Sequence, residues 1–417
     1  MAFNEPQKQA IRHHKGPALV LAGPGSGKTT VITNRICCLT EQYHADPGSI
    51  LVITFTRAAA REMKERYEQM TEAGCGRVSF GTFHSVFFTI LKFAYRYQAA
   101  NIVKEEQRIC LIREQLNQCD LEIEDEGEFI SSVLSEISMI KGEMIDPSHY
   151  YAKSCSQDIF RQLYKGYEAG LRKQNLLDFD DMLVMCYQLF KEREDILKAW
   201  QNKYRYILID EFQDIDGLQY GLMEVLCGYH RNLFIVGDPD QTIYTWRGAN
   251  VKYLLDFDKA FPNCKTIMMM QNYRSSPQIL RAANSLISKN VHRIKKELLS
   301  TLPDSGPVFF HHAESAEQEA EWIAAKIAEL EQQGVPYQDI TILYRAHYVT
   351  RTLEEVFRRR KLPYVIYSGA QFFDRKEIKD ALSYLRMTAY RDDLSFQRIV
   401  NTPKRNLGEK RMRFLKL

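Results

Sequence analysis

Residues 22–29 combine glycines, a lysine and a threonine at a spacing that suits phosphate binding. They read A-G-P-G-S-G-K-T and follow the apolar run at residues 18–21. Glycines allow a tight turn whose N–H groups point at phosphate oxygens, while Lys28 offers a positive charge and Thr29 a hydroxyl for Mg²⁺. The strict pattern has glycine where this chain has Ala22, but an apolar helical pattern follows, as the motif requires. We therefore predict a nucleotide-phosphate site made of Ala22, Gly23, Pro24, Gly25, Ser26, Gly27, Lys28, Thr29 and Thr30.

Two adjacent carboxylates follow a second apolar run. Residues 206–209 read Y-I-L-I, and Asp210 and Glu211 come next. Successive side chains of a strand point to opposite sides, so the two carboxylates are able to take different roles. Asp210 is predicted to hold Mg²⁺ on the β and γ phosphates, and Glu211 to polarise the attacking water. The alternative is a strand with acidic residues at a surface end, and the pair gains meaning only beside a phosphate-binding loop.

A third group of polar and aromatic residues follows the apolar run at residues 233–236. Gln241 lies where the loop after a parallel strand faces the ligand crevice, which would bring its amide to a γ phosphate. Tyr244, Trp246 and Arg247 follow within six residues. Aromatic rings with a guanidinium suit stacking on unpaired bases and contact with a backbone phosphate. The alternative is that Tyr244 and Trp246 are core residues.

The elements that must position these groups alternate between short β-rich runs and amphipathic helical stretches. Such alternation predicts an α/β fold with parallel sheets flanked by helices. Residues 101–177 interrupt the rhythm with a charged, helical pattern, and we interpret them as a helical insertion. After residue 271 a second α/β set is expected, with strands at 308–311, 340–344 and 364–366.

The composition of the chain restricts its partners and its cellular compartment. The 417 residues carry a net charge of +3, so a nucleic-acid surface would have to be local rather than spread over the whole protein. Nine cysteines occur without C-x-x-C pairs or zinc-type spacing, which favours reduced thiols. The amino terminus has no apolar signal core, and no apolar run approaches membrane-spanning length. We expect a cytoplasmic protein with no membrane partner.

Together these motifs resemble those of the UvrD/Rep/PcrA-type superfamily 1 DNA helicases. The resemblance extends in order from Phe3 to about Gly408 and is identified by seven further segments. These are F-N-E-P-Q (3–7), T-F-T-R-A-A (54–59), G-T-F-H-S (81–85), L-D-F-D-D-M (177–182), G-D-P-D-Q (237–241), Q-N-Y-R-S-S (271–276) and F-F-D-R-K-E-I-K-D (372–380). It implies an ATP-dependent helicase and single-stranded DNA translocase with three-prime to five-prime movement, acting in repair or replication.

The resemblance also implies roles for individual residues. Gln7 would read adenine, Tyr273 would stack on it, and Arg274 would reach the γ phosphate; Arg35 is a weaker candidate for holding the nucleotide. The implied catalytic set is Lys28, Asp210, Glu211, Gln241 and Arg274, with Thr29 and Asp210 on Mg²⁺. The implied DNA contacts are Phe55, Thr56, Arg57, Thr82, His84, Phe179, Tyr244, Trp246 and Arg247. Partners would be single-stranded DNA, single/double-strand junctions and unidentified repair or replication proteins.

The same resemblance implies a domain order. The first RecA-like domain would comprise residues 1–100 and 178–270, with the insertion at 101–177. Residues 271–388 would begin a second RecA-like domain, and 389–417 a second insertion. Family motifs that should follow are not found, so we expect a truncated chain that binds ATP and DNA weakly and does not unwind DNA. Two alternatives stay open: the motor part of a recombination helicase-nuclease, and an ATP-dependent DNA-binding switch without motor activity.

Overall fold

The computed structural model describes residues 3–71, 77–119, 121, 123, 125–245, 248–290, 293–367, 376–403 and 405. The chain divides into two compact units, Met1–Val308 and Phe309–Leu417. The first contains a parallel β-sheet covered by helices, which confirms the predicted α/β class.

Six strands form the main sheet of the first unit, in the order β3-β2-β4-β5-β1-β6. Every neighbouring pair is parallel, so the carboxyl ends of all six strands lie at one edge. The strands are β1 (Ala18–Ala22), β2 (Ile50–Thr54), β3 (Ser79–Thr82), β4 (Tyr206–Ile209), β5 (Leu233–Gly237) and β6 (Lys265–Met269). A separate two-stranded ladder pairs β7 (Gln271–Asn272) with β8 (Leu299–Ser300).

Both faces of the sheet are buried, which explains why its strands read as continuous apolar runs. In β1, Leu19 and Leu21 join one hydrophobic cluster, whereas Val20 belongs to a second cluster on the opposite face. Leu51 and Val52 divide between the same two clusters in β2. This alternation follows from the two-residue period of a strand. The sheet therefore provides a rigid base for the loops at its carboxyl edge.

Helices connect and cover these strands. In the first unit they are α1 (Glu5–Arg12), α2 (Lys28–Cys37), α3 (Arg57–Met70), α4 (Phe83–Tyr95), α5 (Glu105–Leu116), α6 (Glu126–Gly142), α7 (Gln157–Lys173), α8 (Phe179–Glu192), α9 (Glu194–Lys203), α10 (Gly217–Cys227), α11 (Lys252–Leu255), α12 (Phe257–Ala260) and α13 (Pro277–Ile287). A π-helical turn, Cys38–Gln42, continues α2. Helices α2, α3 and α4 each begin directly after the loop that follows a sheet strand, so their amino termini lie near the carboxyl edge.

Helices α5, α6 and α7 form the predicted helical insertion and have a hydrophobic core of their own. Its largest buried residues include Phe160 and Tyr167. At the base of the insertion the two chain segments meet, because Val103 N donates to Leu177 O at 2.9 Å. The domain limits that the sequence predicts stay predictions, but this contact joins the two segments at the predicted base.

A buried lysine connects the insertion to α8. Lys141 Nζ, near the end of α6, lies 2.6 Å from Glu168 of α7, 2.7 Å from Asp178 and 2.6 Å from Asp181. Asp178 caps α8 by accepting a hydrogen bond from Asp181 N. Among the described residues these three carboxylates are close enough to hold a metal ion, but the Lys141 ammonium already pairs with all of them. We name this group the Lys141 cluster.

The second unit contains α14 (Ala316–Gln332), α15 (Thr350–Arg359), α16 (Lys376–Tyr390) and α17 (Asp393–Ile399). Ala320, Ala324 and Ile327 of α14 pack against Val356 and Phe357 of α15. Residues 404 and 406–417, which include much of the predicted second insertion, lie outside the described residues.

The three strands expected in the second unit do not form. Residues 308–311, 340–344 and 364–366 are irregular, and Phe310 and Leu343 are 90% and 91% exposed. A strand needs a neighbour that accepts and donates its backbone hydrogen bonds, and these segments have no such ladder within the described part of the chain. The prediction used side-chain propensity alone and was wrong here.

Among the described residues, no helix combines the length and the apolar composition that crossing a membrane requires.

Candidate functional site

The predicted phosphate-binding loop lies between β1 and α2 at the carboxyl edge of the sheet. Gly25 and Gly27 have φ values of +67° and +85°, in the left-handed region that favours glycine. A Cβ atom at Gly25 would lie 2.6 Å from the Asn272 amide nitrogen, so the close approach also requires glycine. Lys28 is the first residue of α2, which places the loop at a helix amino terminus suited to anions.

The two predicted carboxylates follow β4 at the same edge. Asp210 N donates to Ile53 O at 2.9 Å, and Glu211 has a φ of +51° that turns its side chain toward the loop. Lys28 Nζ contacts Glu211 Oε2 at 2.7 Å. Burial and the neighbouring charge of Glu211 raise the pKa of Asp210 to about 7. A buried carboxyl that resists ionisation would be stabilised in its charged form by a cation.

The oxygen donors at this position fit the predicted Mg²⁺. A cavity of about 350 Å³ is lined by Thr29 and Asp210, together with Glu211 and Gln241. Mg²⁺ prefers hard oxygen ligands and retains several waters, so two protein ligands and an open cavity suit it.

Aromatic residues predicted to contact DNA line the same cavity. Phe55 and Tyr244 stack with ring centroids 4.8 Å apart and an interplanar angle of 24°. Phe55 therefore belongs to the cavity wall rather than to the interior of the sheet. One cavity thus joins nucleotide candidates at one end to base-stacking candidates at the other.

A chain of polar contacts connects Lys28, through Glu211, to Gln241. Gln213 Nε2 donates to Glu211 Oε2 at 2.8 Å. Gln213 Oε1 in turn accepts a hydrogen bond from Asp238 N at 2.9 Å. Gln241 Nε2 then donates to Asp238 Oδ2 at 2.7 Å. The sequence prediction missed Gln213 and Asp238. Both residues lie inside motifs that the sequence had already indicated. A buried side-chain amide can donate and accept hydrogen bonds at once, so a glutamine at this position could have been predicted to bridge neighbouring strands.

The predicted adenine-side residues also meet the phosphate-binding loop. Gln7 Nε2 donates to Ser26 O at 3.0 Å, and Tyr273 N donates to Gly25 O at 2.9 Å. Asn4, which caps α1, donates to the Tyr273 hydroxyl at 2.9 Å. Asn4 is a further residue that the prediction missed.

Asn272 holds the segment of Tyr273 and Arg274 against the loop. Its Nδ2 donates to Pro24 O at 2.6 Å, and its Oδ1 accepts from Arg274 N at 2.8 Å. Gln7, Tyr273 and Arg274 thus lie together around residues 23–28, as a nucleotide site requires.

Arg35 does not lie with this group. Its guanidinium is fully buried, donates to the carbonyl oxygens of Ala10 and His13, and lies 4.2 Å from the centre of the Phe234 ring. Burial lowers the pKa of Arg35 to about 9. Arg35 fixes α1 against α2 and β5, so its guanidinium is engaged away from residues 23–28, and its expected nucleotide contact stays a prediction. Thr30, on the first turn of α2, accepts hydrogen bonds from Thr33 and Asn34 through its carbonyl.

The other predicted DNA contacts begin helices at the carboxyl edge. Thr56 caps α3 by accepting from Ala59 N at 3.1 Å, and Arg57 follows it with its side chain exposed. Thr82 caps α4 by accepting from Ser85 N. His84 meets the Phe179 ring edge-on at 5.8 Å, and burial together with Arg57 lowers its pKa. Trp246 and Arg247 lie outside the described residues.

A second cavity extends from the stacked rings toward the helical insertion. It has a volume of about 590 Å³ and is lined by Phe55, His84 and Tyr244 on the sheet side. Arg108, Ser131 and other residues of α5 and α6 form the facing wall. Three of the predicted DNA residues, Phe55, His84 and Tyr244, therefore line this cavity, and Phe55 and Tyr244 line both cavities.

Comparisons with known proteins identify the family of this chain. The family profile described as UvrD/REP helicase N-terminal domain matches residues 3–262, and that of the UvrD-like helicase C-terminal domain matches residues 267–417. Named relatives include the ATP-dependent DNA helicase PcrA of Staphylococcus aureus strain Mu50, 38% identical over 97% of this chain and 56% of its own length. A probable DNA helicase II homolog of Mycoplasma capricolum is 38% identical over 95% of this chain and 56% of its own length.

The chain thus spans about half the length of the curated relatives it matches. The profile of the amino-terminal helicase domain covers more than half of the chain, including the phosphate-binding loop and the carboxylates that meet it. On this match, and in agreement with the geometry of the site, the chain belongs to the UvrD/REP helicase family.

Proposed function

We propose that this chain carries the motor site of an ATP-dependent DNA helicase that moves along single-stranded DNA from three-prime to five-prime. One observation carries the proposal: the cavity that holds Thr29, Asp210 and Gln241 also holds the stacked rings of Phe55 and Tyr244. A change at the phosphate end can therefore reach the base-stacking end without crossing the protein. The direction of movement rests on the family resemblance alone.

The Lys28–Glu211 ion pair defines the first step. The phosphates of ATP would attract Lys28 more strongly than one carboxylate does, because they offer several charged oxygens. Lys28 would then leave Glu211, and the freed carboxylate would orient the attacking water as a general base. Thr29 and Asp210 would hold Mg²⁺, which when bound stabilises charge on the phosphate oxygens.

Coupling to DNA would pass through Gln241. Its amide is held by Asp238 in this structure and lies one short loop before Tyr244. A γ phosphate that attracts the Gln241 amide would shift this loop and separate Tyr244 from Phe55, which opens the space for a base. Tyr273 would pack on adenine, and Arg274 would reach the γ phosphate.

The wider role follows from the same resemblance. Single-stranded DNA and single/double-strand junctions would be the substrates, in repair or replication, with protein partners from those processes and a cytoplasmic location. The chain spans 56% of the length of the relatives, so nucleotide and DNA binding are the activities to measure first.

The test compares two phenylalanine variants of the 417-residue chain. Phe55→Ala removes a ring worth about 1–3 kcal/mol per stacked base, so single-strand affinity should fall roughly fivefold to a hundredfold. Phe93→Ala is the matched control, because Phe93 is exposed and packs on Trp200 instead. Fluorescence anisotropy measures DNA binding, and ATP turnover is followed with and without single strand. Hydrolysis by the parent chain that does not respond to DNA would contradict a DNA motor.

A strand-displacement assay tests the direction separately. The longest natural form of the protein is given duplexes with a three-prime or a five-prime overhang. Unwinding of the three-prime substrate is expected, and unwinding of only the five-prime substrate would reverse the assigned direction.

A further inference from the structure

A segment that the proposed mechanism does not use crosses the nucleotide site. Residues 293–300, here called the crossing segment, follow α13 and end in β8; Arg293 at their start contacts Asp240, in the loop that carries Gln241. A Cβ atom at Gly23 would lie 2.3 Å from Leu298, so the segment packs directly on the phosphate-binding loop. At its far end, β8 pairs with β7, immediately before Tyr273. One short segment thus contacts three parts of the site.

Two cations of the crossing segment are bound to the loop between β5 and Gln241. Lys296 Nζ forms a short ion pair with Asp238 and lies 3.2 Å from Asp240 Oδ2. Arg293 donates to both carboxylate oxygens of Asp240, at 2.7 and 3.1 Å. The Lys296 and Asp238 side chains are only 3% and 1% exposed. An ion pair buried this deeply is costly to break from one side, because the remaining charge loses both water and partner.

Asp238 has three partners on its two carboxylate oxygens. Oδ2 accepts from the Gln241 amide at 2.7 Å, while Oδ1 accepts from Asp240 N at 3.0 Å and pairs with Lys296 Nζ. Asp238 therefore holds Gln241 in place, and Lys296 together with the Asp240 N–H holds Asp238 in place. Without Lys296, Oδ1 would keep only the Asp240 N–H and lose its cation, so the buried carboxylate would fix the direction of the Gln241 amide less firmly.

We propose that Lys296 is a positioning residue. It ties the loop that carries Gln241 to the segment bearing Tyr273 and Arg274, so that binding of the γ phosphate changes the position of both. This inference rests on the proposed function of Gln241 and extends it to a residue outside the recognised motifs. Lys296 acts through Asp238 and makes no phosphate contact itself.

The test compares the affinities for two nucleotides, with and without a γ phosphate, and does not require ATP hydrolysis. ADP lacks the γ phosphate, so its affinity should stay within about twofold in Lys296→Met. The affinity for the non-hydrolysable analogue AMP-PNP should fall on the order of tenfold, as for a lost hydrogen bond to a charged group. Lys295→Met is the matched control, since Lys295 is the exposed neighbour in the same segment. Competition with a fluorescent nucleotide measures both affinities.

Two further variants separate positioning from simple neutralisation of Asp238. Lys296→Arg keeps the cation and should retain most of the AMP-PNP preference. Asp238→Asn combined with Lys296→Met removes both charges; thermal melting should show recovered stability, while the AMP-PNP preference stays low. If the double variant regains the preference, Lys296 only neutralises Asp238 and the positioning role is overturned. An unchanged preference in Lys296→Met overturns it as well.

The outcome is distinguishable from failure of the proposed function. A parent chain that prefers AMP-PNP to ADP but shows no response of hydrolysis to DNA would refute the DNA motor, and the lysine variants would still decide the role of Lys296. A parent chain without any preference for AMP-PNP over ADP would refute the sensing role of Gln241, and with it this inference.

Discussion

Two lysines of the first unit, Lys28 and Lys141, both pair with carboxylates, but their surroundings suit opposite roles. Lys28 contacts one carboxylate, Glu211, which is 34% exposed. Lys141 contacts three carboxylates and is 4% exposed. A cation with a single, partly hydrated partner can exchange it for phosphate, whereas a cation with three partners, none of them more than 18% exposed, is held. The number of partners and their burial therefore distinguish a binding site from a structural connection.

Loss of Lys141 should have the largest effect. Lys141→Met leaves the carboxylates of the Lys141 cluster without their cation, and breaking a buried ion pair from one side costs about 3–5 kcal/mol. Urea denaturation followed by circular dichroism should show this decrease in the free energy of unfolding. The control is Lys165→Met, on the exposed face of α7, with a change within about 0.5 kcal/mol. Equal stability of the two variants would mean that the Lys141 cluster does not hold the insertion.

Removal of the Glu211 charge should have the next largest effect. Glu211→Gln keeps the shape of the side chain but cannot accept a proton, so hydrolysis should slow by roughly a hundredfold while nucleotide affinity is largely kept. Single-turnover hydrolysis and equilibrium binding separate the two quantities. Parental hydrolysis in this variant would remove Glu211 from the catalytic role and leave it as a partner of Lys28.

Loss of Lys28 should affect binding and spare folding. Lys28→Ala removes a charge-assisted hydrogen bond to phosphate, worth about 1.5–3 kcal/mol, so ATP affinity should fall roughly tenfold to a hundredfold. Stability without nucleotide should change by less than about 1 kcal/mol, because Glu211 is partly hydrated. A large loss of stability would place Lys28 in the same class as Lys141 and break the comparison.

The smallest expected effect is the pH dependence of the stability that Lys141→Met loses. Burial and the charge of Asp178 raise the pKa of Asp181 to about 7, above its value of about 3.9 in an unfolded chain. A group with a raised folded pKa gives its full stability at low pH and loses it as the pH rises through 7. The Lys141 cation opposes this rise, so its removal should raise the pKa of Asp181 further in Lys141→Met. Acidification should therefore stabilise the variant more than the parent, and the gap between them should narrow by about 1–2 kcal/mol from pH 8 to pH 5.5. A gap independent of pH would show that the lost energy is packing, not charge.

Residues near one another in the chain were predicted well. The phosphate-binding loop follows from glycine conformations and a strand-to-helix turn, both of which are local properties. Strands β1, β2, β4 and β5 were predicted from continuous apolar runs, because a sheet buried on both faces leaves that pattern. Since parallel strands end at one edge, the sequence also predicted that Asp210 and Gln241 lie near the phosphate-binding loop.

Contacts between distant residues required the tertiary structure. Arg35 and His13 are 22 residues apart, Lys141 and Asp178 are 37, and Lys296 and Asp238 are 58. A charged side chain has the same identity in water and in a core, so its type does not reveal which partners will bury it. The apolar runs of the second unit make the same point: a strand exists only where another strand completes its hydrogen bonds. The sequence alone determined the chemistry and its local geometry, whereas the tertiary structure decided which charges are held and which are free to exchange, because burial and pairing are properties of the assembled chain.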